Sequence, residues 1–115
     1  MAHFNCIRRS DGRYSVSWVG KDRNLSMRSL ARALGLPDST QLPKIFRVGI
    51  ITPDGKGHQV AKCMNNSADG LYTVALLGRG RVPGEPMEIY AKGSGEDGQL
   101  ITRKPYANVG EFFTC

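Results

Sequence analysis

The sequence lacks long apolar runs, and no stretch approaches the roughly 20 apolar residues that a membrane-spanning helix needs. The N-terminal residues Met1-Ala2-His3-Phe4-Asn5-Cys6 also lack the apolar run of a secretory signal peptide. We therefore expect a protein that makes no membrane contact and remains in the cytoplasm.

Cysteine is scarce, and the three copies, Cys6, Cys63 and Cys115, are odd in number and widely spaced. This pattern favours reduced thiols over a disulfide framework and agrees with an intracellular location. Paired C-x2-C metal-binding motifs are absent. His58 and Cys63 could supply zinc ligands, as could His3 and Cys6. However, His58 and Cys63 are an odd number of residues apart on a predicted strand and should point to opposite faces unless a bulge intervenes. We predict no metal and no other cofactor.

The sequence also lacks the residue patterns of a catalytic site. Asp54, Asp69 and Asp97 fall in predicted turns instead of forming the carboxylate cluster that would hold Mg²⁺. A Cys63 nucleophile with His58 as its base would need an orienting third group that no motif supplies. We therefore predict no catalytic residues and no enzymatic activity.

Positive charge is present in excess, with 16 Lys and Arg against 10 Asp and Glu and a formal net charge of +6. The excess is greatest early in the chain: residues 1–36 hold seven basic and two acidic residues, whereas residues 83–115 hold three and five. Clustered arginines in a basic protein are typical of a chain that meets polyanions.

Turn residues break the chain at short intervals, since it holds 14 Gly and six Pro. Asp-Gly pairs between alternating stretches predict β-hairpins. In the first hairpin, residues 4–19, a two-residue Asp11-Gly12 turn would pair Ile7 with Val16. One face would then be buried and the other polar. The buried face would hold Ile7, Tyr14, Val16 and Trp18, and the polar face Arg8, Ser15 and Ser17.

One amphipathic helix is predicted at about residues 26–35. Met27, Leu30, Ala31 and Leu34 follow the helical spacing, Ser26 or Asn24 can cap the start, and Gly35 can end it. Arg28 and Arg32 would lie side by side on its solvent face. Residues 30–40 resemble the first helix and turn of a helix-turn-helix, but Pro43 would break the second helix.

Strand patterns return over residues 44–103 and indicate an antiparallel meander. Predicted strands cover 44–52, 58–64, 71–77, 87–91 and 99–103, separated by Gly-rich turns. The whole chain, 1–115, is expected to form a single α+β domain. It would be a mainly-β antiparallel sheet or partly open barrel of about six to seven strands with one short helix. The tail, 105–115, is apolar enough to dock against the core or a partner.

Candidate phosphate-binding residues are the basic side chains of the first hairpin, the helix and the sheet, together with the loop Gly78-Arg79-Gly80-Arg81. These residues are Arg8, Arg9, Arg13, Arg28, Arg32, Lys62, Arg79 and Arg81. Tyr14 and Trp18 share the first hairpin with the arginines, and Tyr72 shares the sheet with Arg47 and Lys62, a pairing of aromatics with cations that suits single-stranded nucleic acid. Because Tyr14 and Trp18 alternate with Ser15 and Ser17, burial in the core is the competing explanation, and it is the better one for Trp18.

The leading hypothesis is a small non-enzymatic protein that binds DNA or RNA through these cations. One alternative is a protein-interaction or inhibitory module, of the phage or viral accessory type, that meets an acidic protein partner. Another is a structural or virion-assembly subunit, which would form a homo-oligomer.

Overall fold

A computed structural model describes residues 3–20, 24–65, 68–77, 81–95, 97–110 and 113–114. These ranges contain ten β-strands and one α-helix. In chain order they are β1 (His3–Arg8), β2 (Arg13–Val19), β3 (Asn24–Ser26), α1 (Met27–Ala33), β4 (Ile45–Ile51), β5 (Gly57–Asn65), β6 (Leu71–Leu76), β7 (Arg81–Pro83), β8 (Glu88–Gly93), β9 (Leu100–Pro105) and β10 (Phe113–Thr114), with a 3₁₀ turn at Tyr106–Asn108.

The strands form two sheets. The four-stranded sheet has the order β10-β1-β2-β7, in which β10 runs parallel to β1 and the other pairs are antiparallel. The six-stranded sheet has the order β3-β6-β5-β4-β8-β9 and is antiparallel throughout. The predicted α+β class with one short helix is confirmed, and neither sheet closes into a barrel. The three additional strands, β3, β7 and β10, are two or three residues long, too short to show an alternating pattern.

The chain does not follow a simple meander from residue 44 to 103. Strands β4, β5 and β6 are consecutive neighbours, but the chain then adds β7 to the four-stranded sheet. It returns as β8 on the other edge of β4, where β9 completes the sheet. Strand β4 therefore lies between β5 and β8, which are distant from each other in sequence.

One hydrophobic core joins both sheets and the helix. Phe4, Val16 and Val82 enter it from the four-stranded sheet, and Leu30 and Leu34 enter it from the helix. The six-stranded sheet contributes a larger set: Phe46, Val48, Ile50, Val60, Ala61, Cys63, Tyr72, Val74, Ile89 and Ala91. Each sheet thus has a core face and an outer face turned away from the core.

The helix begins and ends as its sequence predicts. Ser26 is the N-cap, and its Oγ accepts a hydrogen bond from the Ser29 N–H at 3.1 Å. At the other end Gly35 has φ +73°, its N–H donates to the Arg32 carbonyl, and the Leu36 N–H donates to the Ala31 carbonyl. These two bonds form a Schellman motif, which stops the helix.

The first hairpin is present, but its predicted register was wrong by one residue. The Arg9 N–H donates to the Arg13 carbonyl and the Gly12 N–H to the Arg9 carbonyl, so the loop has three residues instead of two. Gly12 has a φ of +81° and is the left-handed residue of a bulged type I hairpin. Cys6 therefore lies opposite Val16, the position predicted for Ile7.

This shift of one residue reverses the faces of β1. Phe4 and Cys6 point into the core, and Ile7, predicted to be buried, is 56% exposed. Arg8 lies opposite Tyr14 and shares its face, not the polar face of Ser15 as predicted. Only the first strand is affected, because Val16 and Trp18 on β2 still contact the core.

The described part of the tail docks against the core, one of the two outcomes predicted for it. The Phe113 ring stacks on Phe4 with centroids 4.6 Å apart, and Phe113 is 5% exposed. The Tyr106 hydroxyl lies 3.0 Å from the Cys6 Sγ. Tyr106 and Phe113 thereby join the described part of the tail to the first strand.

Candidate nucleic-acid interface

Three cations lie in a line on the outer face of the six-stranded sheet. Arg47 on β4 is directly opposite Lys62 on β5 and directly opposite Lys92 on β8. Side chains opposed in this way have Cβ atoms about 4.5–5.5 Å apart, and like charges so placed destabilise a sheet. We call Lys62, Arg47 and Lys92 the basic row.

No described carboxylate neutralises the basic row. The ion pairs of the described residues join Arg28 and Arg32 to Asp38 and Arg103 to Glu88. Arg47 instead donates a hydrogen bond from Nη1 to the neutral Gln59 Oε1, at 2.6 Å. The amide orients the guanidinium and leaves its charge uncompensated.

A β-bulge places Gln59 beside this row. Val48 pairs with Ala61 but Gly49 pairs with Gln59, so β5 has one extra residue at this point. Val60 and Ala61 are consequently both fully buried. Lys62 and Gln59, three residues apart, then share the outer face.

Tyr90 lies next to the basic row, on the same face of β8 as Lys92. It is paired with Gly49, and a β-carbon built at residue 49 would lie 2.2 Å from the Tyr90 Cζ. A β-carbon at Gly57 would lie 3.4 Å from the Tyr90 hydroxyl oxygen. The ring therefore extends across β4 toward the start of β5, over two positions that have no side chain.

A cavity of about 330 Å³ opens beside Arg47 and Lys92 of the basic row. It is lined by Arg47, Gln59, Lys92, Gly93 and Gly95. On the other side of the row, Ile45 lies opposite Met64, and Ile45 is 42% exposed. The basic row is thus flanked by an aromatic ring on one side and by apolar side chains on the other.

Three of the cations predicted from the sequence meet on the outer face of the four-stranded sheet. Arg81 lies opposite Ser15, and Arg9 Nη1 donates to the Ser15 Oγ at 3.4 Å. Arg13 is two residues from Ser15 and shares its face. We call Arg9, Arg13 and Arg81 the hairpin cluster.

The predicted helix cations are not free of acidic partners. Asp38 accepts hydrogen bonds from Arg28 Nε at 3.2 Å and from Arg32 Nη2 at 2.9 Å. The bonds from Arg32 and Arg28 lower the pKa of the Asp38 carboxyl below its usual range. This carboxylate bridges the two arginines and offsets the repulsion expected between them.

The remaining predicted residues are dispersed. Lys62 belongs to the basic row, Arg8 lies on the other face of the first hairpin, and Arg79 lies outside the described residues. Among the aromatics, Trp18 packs edge-on against Phe4 with centroids 5.1 Å apart, as expected for a core residue.

Tyr72 is not available as a stacking platform. It is fully buried, and its hydroxyl donates to the carbonyl oxygens of Leu42 at 3.0 Å and Pro43 at 2.9 Å. Burial raises the pKa of its phenol. Its predicted role beside the basic residues of the sheet was therefore misleading.

Sequence reasoning missed Lys92, Tyr90 and Gln59. Tyr90 and Lys92 alternate with the buried Ile89 and Ala91, a pattern that identifies an outer face of β8. The pattern does not reveal that β8 is the neighbour of β4. The grouping of Tyr90 and Lys92 with Arg47 therefore depends on a strand pairing that local sequence does not encode.

His58 and Cys63 do not converge on one site. The bulge in β5 turns both His58 and Cys63 to the core side, where they lie opposite Ile50 and Phe46. Four residues of strand separate those positions, about 13 Å. His58 Nε2 is instead 3.1 Å from the Thr52 Oγ1. The described residues include no group of three or more His, Cys, Asp or Glu placed to hold a metal ion.

Within the described ranges, no helix has the length and apolar character needed to cross a membrane. Comparisons with known protein families, with curated proteins and with solved structures gave no match.

Proposed function

We propose that this protein is a non-enzymatic nucleic-acid-binding protein that contacts phosphates through the basic row. The observation that carries the proposal is the direct opposition of Lys62, Arg47 and Lys92 across three strands with no described acid beside them. Such an arrangement is unfavourable in the free protein. Bound phosphates would relieve the repulsion and release counterions.

The neighbours of the row favour nucleic acid among polyanions. Tyr90 lies on one side and Ile45 with Met64 on the other, so charged and apolar surfaces alternate across the face. Nucleic acid has the same alternation, because phosphates and flat apolar bases follow one another along the strand. A simple inorganic polyanion would use the cations alone.

The test compares two triple variants that remove the same charge from different surfaces. One changes Arg47, Lys62 and Lys92 to Gln, and the matched control changes Arg9, Arg13 and Arg81 to Gln. Binding of fluorescent single-stranded oligonucleotides is followed by anisotropy between about 50 and 200 mM salt. We expect the first variant to reduce the slope of log K against log salt by about two, since each lost contact on a single strand removes about 0.7.

The control variant should change the slope much less, because the hairpin cluster is on another face. Equal effects of the two variants would show that only net charge matters and would overturn the assignment to the basic row. Binding that is weak and equal for every polymer would overturn the proposed function.

A protein-interaction role is the second candidate, and the outer face of the four-stranded sheet favours it. Ile7 is 56% exposed and Val19 is 41% exposed on the same face as the hairpin cluster. Exposed apolar residues beside arginines are a common arrangement at protein interfaces. Loss of an acidic protein partner in the hairpin-cluster variant, with oligonucleotide binding intact, would support this role.

A further inference from the structure

The position of Tyr90 extends the proposed function and depends on it. The tyrosine is partly buried, since its phenol end covers Gly49 and approaches Gly57, and part of the residue remains exposed to solvent. Glycine inside a strand weakens it and often marks a close approach by another group. Here two strands each have a glycine where the ring crosses them.

The ring is also next to the phosphate-binding groups. Tyr90 and Lys92 are two residues apart on one strand, a separation of about 7 Å. Gly49, beneath the ring, is two residues from Arg47 on the next strand. Burial raises the pKa of Tyr90 and the nearby Arg47 opposes this rise, so the phenol keeps its proton at neutral pH. A neutral ring does not repel phosphate.

We infer that Tyr90 stacks against an unpaired base while the basic row holds the adjoining phosphates, and that the protein therefore selects single-stranded nucleic acid. In a duplex the two faces of each base are covered by its neighbours, so a ring on a sheet surface has no base face to contact. In a single strand the bases can separate, and an aromatic ring can stack on any of them.

The test uses an oligothymidylate, a duplex and an abasic oligomer of the same length, which keeps the phosphates and lacks the bases. The wild-type chain should bind the oligothymidylate about tenfold more tightly than the abasic oligomer, the order of one base–aromatic stack. Tyr90→Leu keeps Gly49 covered but removes the aromatic ring, and it should abolish this preference. Tyr90→Phe, the matched control, should retain it.

The outcomes separate this inference from the proposed function. If the wild-type chain binds both single strands equally, with a steep salt dependence that the basic-row variant reduces, then stacking is wrong and phosphate binding is supported. If neither oligomer binds with a steep salt dependence, both are wrong. A preference for the duplex would also overturn single-strand selection.

A second measurement does not depend on a variant. Photocrosslinking of the wild-type protein to a bromouracil-substituted oligothymidylate should label Tyr90, identified by peptide mass spectrometry. Crosslinks confined to the four-stranded sheet would contradict the inference even if Tyr90→Leu failed to fold.

Discussion

At the scale of single residues, Gly49 shows how a missing side chain shapes the candidate site. It lies in the middle of β4, fully within the sheet, and its φ angle is not in the left-handed region. The backbone conformation at position 49 therefore does not require a glycine. What requires it is Tyr90, whose ring occupies the space that a β-carbon would need.

We expect Gly49→Ala to destabilise the wild-type protein by about 1–3 kcal/mol, the usual range for overpacking. In a Tyr90→Ala background the same change should be neutral or stabilising by up to about 1 kcal/mol, because alanine restricts the unfolded chain. Urea unfolding of the two single variants and the double variant measures the coupling. Additive effects would show that the ring does not lie over Gly49.

At the scale of elements, one local structure recurs at three Asp-Gly turns. The carboxylates of Asp11, Asp54 and Asp69 accept the N–H of the residue after the glycine at 3.0, 3.1 and 3.2 Å. The three glycines have φ of +81°, +81° and +74°. Asp-Gly pairs were correctly predicted as turns because this bond and this conformation are local.

The loop length of the first hairpin is what decides the face of Ile7. We expect Ile7→Ala to cost less than about 1 kcal/mol, the span of strand propensities, because its side chain faces solvent. In the register predicted from sequence the same change would remove a core side chain, at about 2–5 kcal/mol. The free energy of unfolding in urea distinguishes these values. The core residue Phe4, expected to cost about 3–5 kcal/mol as alanine, provides the reference.

At the scale of the whole molecule, one shared core buries groups that can ionise. Cys63 is fully buried, and burial raises its pKa from 9.0 to about 12. The folded protein thus holds the neutral thiol while the unfolded chain releases its proton near pH 9. The resulting stability is complete below about pH 9 and decreases as the pH rises from there toward 12.

We expect the free energy of unfolding to fall by about 1.4 kcal/mol from pH 7 to about pH 10 through Cys63 alone. Cys63→Ala removes the titrating group, so the variant, although less stable at neutral pH, should lose correspondingly less over this interval. Urea unfolding at both pH values checks this. The pKa of the buried Tyr72 is also raised, and its effect begins only above its ordinary value of 10.0. An identical loss in both proteins would mean that Cys63 ionises freely in the folded state.

The features that depend only on neighbouring residues were predictable from the amino-acid sequence. The helix with its Ser26 cap and Gly35 end, the Asp-Gly turns and the longer strands were predictable, because spacing, capping and left-handed glycines act over a few residues. The excess of positive charge could also be counted directly from the sequence. The packing of Trp18 against the core was expected from the sequence, whereas the burial of Tyr72 was not.

The pairing of segments that are distant in sequence was not predictable in this way, because the tertiary structure sets it. It placed β8 beside β4 and added a bulge in β5, and these pairings brought Lys92, Tyr90 and Gln59 to the side of Arg47 and Lys62. The physical reason is that strand pairing and register are selected by how all the apolar faces share one core, which no local pattern specifies. The candidate site is a consequence of that shared packing.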